Sequence, residues 1–167
     1  MRDYIEQLDQ EHSEWVKVIG EFILACGDIE AYTFDLVHDL LIDEIPVYIK
    51  NLKFEQRIQL VQALLTTPKV EEAFDLVEPI KKLLSRAQGV MATRNVIAHN
   101  PLDLRIVAEP TTAGPEQVVR RYYPYNDIKD KEITLSVLTD SLTEAQLVAS
   151  GLNQCAGALR HFLDVRA

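Results

Sequence analysis

The sequence predicts an all-α fold: an antiparallel helical bundle of four to five helices, with a short β-hairpin inserted before the C-terminal helix. Three observations predict it. Apolar residues recur at steps of three and four over long stretches. Prolines and small polar residues punctuate those stretches where helices should end. One segment, residues 102–124, abandons the pattern for short β-branched and aromatic runs around a Pro/Gly turn. The 167 residues suit one domain spanning 1–167, with the hairpin over about 102–125.

The first stripe runs through Trp15, Val18, Phe22, Cys26 and Ile29 and continues as Thr33, Leu36, Val37 and Leu40. This reads as one long helix with a possible bend at Gly27-Asp28, where Asp28 could serve as an N-cap, and Pro46 closes it. Leu52, Ile58, Val61, Leu64 and Leu65 form a second helix. Thr66-Thr67-Pro68 terminates it, because the residue before a proline is pushed out of the α region. A short helix is expected from Glu71 to Val77. Pro79 then suits the first turn of a new helix carrying Ile80, Leu83, Leu84, Ala87 and Met91 to Pro101. Beyond the hairpin, Thr134 can cap a last helix whose apolar positions run from Leu135 to Leu163. Gly151 and Gly157 weaken that helix without breaking it.

The formal charge of −9 at first disfavours a nucleic-acid partner, but its distribution changes the reading. Residues 1–48 carry 12 acidic side chains against Arg2 and Lys17 alone, so the rest of the chain is close to neutral. Residues 81–125 hold seven basic side chains and three acidic ones, a local excess of positive charge suited to phosphate. No apolar run approaches the ~20 residues of a membrane span, and the acidic start differs from a signal peptide, so a cytoplasmic protein without membrane contact is expected. Cys26 and Cys155 stand far apart with no C-x-x-C pair. They read as packed thiols rather than as a disulfide or zinc site. His38 has no second ligand at a useful spacing, and the glycine-rich patterns of nucleotide loops are missing. Neither a metal nor another cofactor is expected.

The stretch TRNVIAHNP, residues 93–101, carries the chemistry. On a helix Asn95 and His99 lie nearly on one face, whereas Arg94 and His99 are about 140° apart and approach only if the last turn loosens. A histidine moves protons near neutrality, and a guanidinium holds phosphate oxygens in a planar two-point grip. Such a pair can promote attack of an RNA 2′-hydroxyl on the neighbouring phosphate, with His99 transferring protons and Arg94 stabilising the developing charge. The reaction wants a base and an acid, and one chain offers one histidine. A two-fold homodimer would supply both. Against this stands a plainer reading: the bare spacing arises often by chance, and a cation in the last helical turn complements the helix dipole.

In its setting at the end of a long amphipathic helix, RNVIAHN resembles the motif of the HEPN superfamily (higher eukaryotes and prokaryotes nucleotide-binding domains). That motif is an arginine, a polar residue that is often asparagine, a spacer and a histidine, here Arg94, Asn95, Val96-Ile97-Ala98 and His99. CGDIEAYTFDLVHDLL, residues 26–41, is similar to the family's second motif-bearing helix. The resemblance covers most of the chain up to residue 100. It implies a bundle that dimerises around the motif and, in many members, a metal-independent endoribonuclease used as a toxin or defence effector, with a cognate antitoxin or regulatory protein as partner. Members silenced by a nucleotidyltransferase often carry a tyrosine two positions after the histidine; here Pro101 stands there, so that control is not implied. Other members are inactive, which keeps a non-catalytic RNA-binding or protein-interaction module as the alternative.

Three further groups belong to the expectation. Arg120, Arg121, Tyr122 and Tyr123 mix cations and aromatic rings in the way that holds phosphates while stacking bases, although alternation in a hairpin yields the same composition. Asp28 and Glu30 could face the motif and orient Arg94 or act on His99, or be solvated helix residues. The acidic first helix could also dock on a basic partner.

Overall fold

A computed structural model describes residues 2–41, 49, 51–67, 70, 73–100, 103–111, 114–124 and 132–165, with the backbone alone at 2–8, 74, 103–111, 114–124 and 132. Among the described residues four helices make the bundle: α1 (Arg2–Leu40), α2 (Phe54–Leu64), α3 (Phe74–His99) and α4 (Leu135–Asp164). Pro46 and the hairpin turn fall outside the described residues.

The helix α1 runs unbroken through Gly27-Asp28. Asp28 is therefore an exposed mid-helix residue and not an N-cap, because burial of Cys26 and Ile29 on the inner face carries the helix across the weak point. Gln56 begins α2 as half of a capping box, its Oε1 accepting from the Lys53 backbone N–H at 3.0 Å.

A second correction concerns α3. Instead of a fresh start at Pro79, one helix runs from Phe74 with Pro79 at its sixth position, while Glu71, the expected start of a short helix, lies outside the described residues. Proline there removes one helical hydrogen bond near the helix start, and Val77 and Ile80, buried on either side, hold the turn in place. At the other end Asn100 is extended (φ −122°, ψ 142°), the conformation that the following Pro101 demands, and its side-chain amide donates to the Val96 carbonyl at 2.8 Å. For α4 the Thr134 Oγ1 accepts from the Val137 N–H at 3.3 Å, the cap its sequence position predicts.

The long helices alternate in direction. The outer ends of α1 and α4 meet at Asp39 and Arg160, so these two closely packed helices run the same way. Leu83 faces Gly151 and Arg86 pairs with Glu144, which sets α3 antiparallel to α4. The short α2 leans on α1. Trp15, Phe22, Ile29 and Leu36 of α1 meet Ile80 and Leu84 of α3 and Leu138, Leu152 and Leu159 of α4 in one core, each all but excluded from solvent. Each such side chain stabilises the fold by roughly 1.5–3 kcal/mol through burial. Between α3 and α4 the backbone of Asp103–Thr111 (β1) pairs antiparallel with Gly114–Pro124 (β2), placing Asp103 opposite Tyr122 and Thr111 opposite Gly114. Tyr123 of β2 also pairs with Ile133 of a two-residue strand, β3 (Glu132–Ile133).

Candidate functional site

The end of α3 is oriented by its apolar residues. Val96 and Ile97 are buried, which turns Asn95, Ala98 and His99 toward solvent and leaves Arg94 half-buried on the flank. Arg94 forms one wall of an open cleft of about 650 Å³ where α1, α2 and α3 converge. Glu30 from α1, Lys53 and Arg57 from the start of α2, and Met91 and Asn95 from α3 also line it. Three cations thus stand against Glu30 and Glu55 over an apolar floor that includes Leu52 and Phe54.

Arg57 is the most constrained of these groups. Its Nη1 donates to the Glu30 backbone carbonyl at 3.1 Å and its Nη2 lies 3.5 Å from Glu30 Oε2, while the guanidinium carbon sits 5.9 Å from the centre of the Phe54 ring. Only 13% of its side chain is exposed, and its Nε is buried without a hydrogen-bond partner among the described residues. One turn before Glu30 on α1, the buried Cys26 has its thiol pushed up to about 12 by burial, a shift that Arg94 opposes and Glu30 adds to.

Of the residues singled out in the sequence, Arg94, Asn95 and Glu30 share the cleft. Arg94 Nη1 donates to Asn95 Oδ1 at 3.3 Å, so within one chain the asparagine amide engages the arginine rather than His99. His99 is exposed in the last turn of α3, is not among the cleft-lining residues, and makes no hydrogen bond with Arg94 among the described residues. Asp28 points away, about 160° round α1 from Glu30, and has no ion-pair partner among the described residues. The side chains of Arg120, Arg121, Tyr122 and Tyr123 lie outside those described. Sequence reading missed Lys53, Phe54 and Arg57. Arg57 precedes the buried Ile58 on a short amphipathic helix, and nothing in its neighbours along the chain marks it.

Among the described residues no three His, Cys, Asp or Glu side chains gather as a metal ion would require, and no helix is long and apolar enough to cross a membrane. Compared with known protein families, curated proteins and solved structures, the chain has no significant match.

Proposed function

We propose that the chain is a metal-independent endoribonuclease of HEPN type, acting as a cytoplasmic toxin or defence effector, in which Arg94, Asn95 and His99 of two copies form one RNA-cleaving site. The observation that carries this reading is the division of labour at the end of α3. Arg94 sits half-buried beside Lys53 and Arg57 in a cleft able to accept a phosphate, while His99 is exposed at the helix end, where a second copy or a substrate can reach it. His99 would take the 2′-hydroxyl proton, the histidine of the other copy would protonate the leaving 5′-oxygen, and Arg94 would hold the phosphorane oxygens. Asn95 keeps the guanidinium turned toward the cleft through its 3.3 Å contact. A hairpin over residues 102–125, with Arg120, Arg121, Tyr122 and Tyr123, would hold the RNA chain beside the site.

The test is a digestion of mixed transfer and messenger RNA in EDTA by wild type, His99→Ala and Arg94→Ala. Wild type should leave 2′,3′-cyclic phosphate ends, and each variant should lose activity by roughly a hundredfold or more while keeping its helical content. A His99→Ala protein that cuts as well as wild type sinks the reading. The separation of His99 from Arg94 within one chain favours a second reading, a cleft that binds RNA without cutting it. RNA affinity that is unaffected by His99→Ala, with no turnover by wild type, would select it.

A further inference from the structure

The helix α1 is apolar on two opposite sides. Its inner face builds the core, but its outer face from Ser13 to Phe34 carries no charged side chain either. Val16, Ile23 and Leu24 stand 56, 38 and 72% exposed there, with Gly20, Gly27 and Ala31 between them. A Cβ added to Gly20 or Gly27 would meet nothing within 4 Å, so among the described residues no neighbour calls for glycine in the middle of this helix. Isolated apolar residues on a surface are ordinary; a continuous charge-free face spanning six helical turns is not.

We propose that this face is a homodimer interface whose occupant is a second copy of α1 crossing antiparallel about a two-fold axis between Ile23 and Leu24. The positions on this face are symmetric about that point: Gly20 falls opposite Gly27, Val16 opposite Ala31, and Ser13 opposite Phe34. An isologous interface needs this self-complementarity, and here each large side chain away from the centre meets a small one, with the two glycines opposed one turn either side of the crossing point. The same operation sets Lys17 of each copy beside Asp28 of the other along one edge. Along the opposite edge, which carries Glu30, it lays the two Arg94 clefts side by side. A face roughly 33 Å long and 10 Å wide buries on the order of 600–700 Å² in total, below the ~1,200 Å² of a standard interface, so the dimer dissociates on dilution. The proposal shares with the ribonuclease reading only the premise of a two-fold dimer.

Sedimentation of the full chain across the micromolar range tests it, together with oxidative cross-linking of Leu24→Cys in a Cys155→Ala background. Leu147→Cys, at an exposed position on α4, serves as control. Wild type should associate reversibly, Leu24→Cys should give a disulfide-linked dimer and Leu147→Cys should not. Leu24→Glu, with unchanged helical content, should weaken association on the order of a hundredfold. A wild type that stays monomeric throughout, or a dimer that persists in Leu24→Glu without cross-linking through position 24, overturns the proposal. A dimer held through Leu24 that cleaves no RNA removes the ribonuclease reading and leaves this surface standing.

Discussion

Cys26 and Cys155 look equivalent along the chain, two thiols on apolar helix faces, yet their surroundings separate them. Cys26 is buried and its thiol is pushed up to about 12, while Cys155 is half-exposed and its thiol is raised by burial alone. A thiol in an unfolded chain ionises near 8.5, so above that pH the unfolded state releases a proton that folded Cys26 keeps. Stability therefore falls from about pH 8.5 toward pH 12, and Cys26→Ala should flatten that decline in denaturant titrations. At pH 8 a thiol reagent should modify Cys155 faster than Cys26, with Cys26 reacting only on unfolding; equal rates in the folded protein would contradict its burial. Arg94 shows the same dependence on setting. Its position in the chain exposes the motif, but its partnership with Lys53 and Arg57 comes from α2, far away in sequence.

The helices themselves follow from near neighbours. Thr134 caps α4 and Pro101 stops α3 because a side-chain oxygen three residues ahead of an amide, or a ring that excludes the α region, acts within one turn. Gly151 and Gly157 both weaken α4 in principle, and only their packing tells them apart. A Cβ at Gly151 would come within 2.8 Å of Leu83 Cδ2, whereas Gly157 faces open space. Gly157→Ala should thus stabilise the protein by about 0.5–1 kcal/mol through helix propensity alone. Gly151→Ala should gain less than that, because Leu83 has to shift to admit the new methyl. Chemical denaturation of the two variants checks the order, and an equal gain from both would show that Leu83 yields freely. Pro79 teaches the converse: its local signal is a helix start, and the packing of Val77 and Ile80 overrides it.

Two bidentate ion pairs tie the long helices into one body. Arg160 grips Asp39 through two bonds of 3.0 Å, and Arg86 grips Glu144 at 2.7 and 2.8 Å. Their partners differ in burial: the Asp39 side chain is 6% exposed and that of Glu144 is 40%. Removing Arg160 strands a nearly buried carboxylate beside His38, whereas removing Arg86 leaves Glu144 to solvent. Arg160→Gln should therefore lower Tm clearly more than Arg86→Gln. Arg86 holds the Glu144 carboxyl below its usual range, so that pair contributes above the ordinary carboxylate pKa and is lost as the pH falls through the lowered value. Comparable Tm losses in the two variants at neutral pH would show that Asp39 finds another partner.

The sequence alone determined that this chain forms long amphipathic helices, where α3 ends and α4 begins, and that Arg94, Asn95 and His99 cluster at one terminus. Those properties depend on hydrogen bonds and side-chain spacing within about four residues. The tertiary structure decided that Glu30 and not Asp28 faces the motif, that Arg57 joins Arg94 in the cleft, and that the outer face of α1 is left uncovered. Each of these rests on contacts such as Arg57 with Glu30, 27 residues apart, or Arg160 with Asp39, 121 apart. Local periodicity shows that a helix has an apolar face; only the packing of distant segments decides which face is covered, and by what.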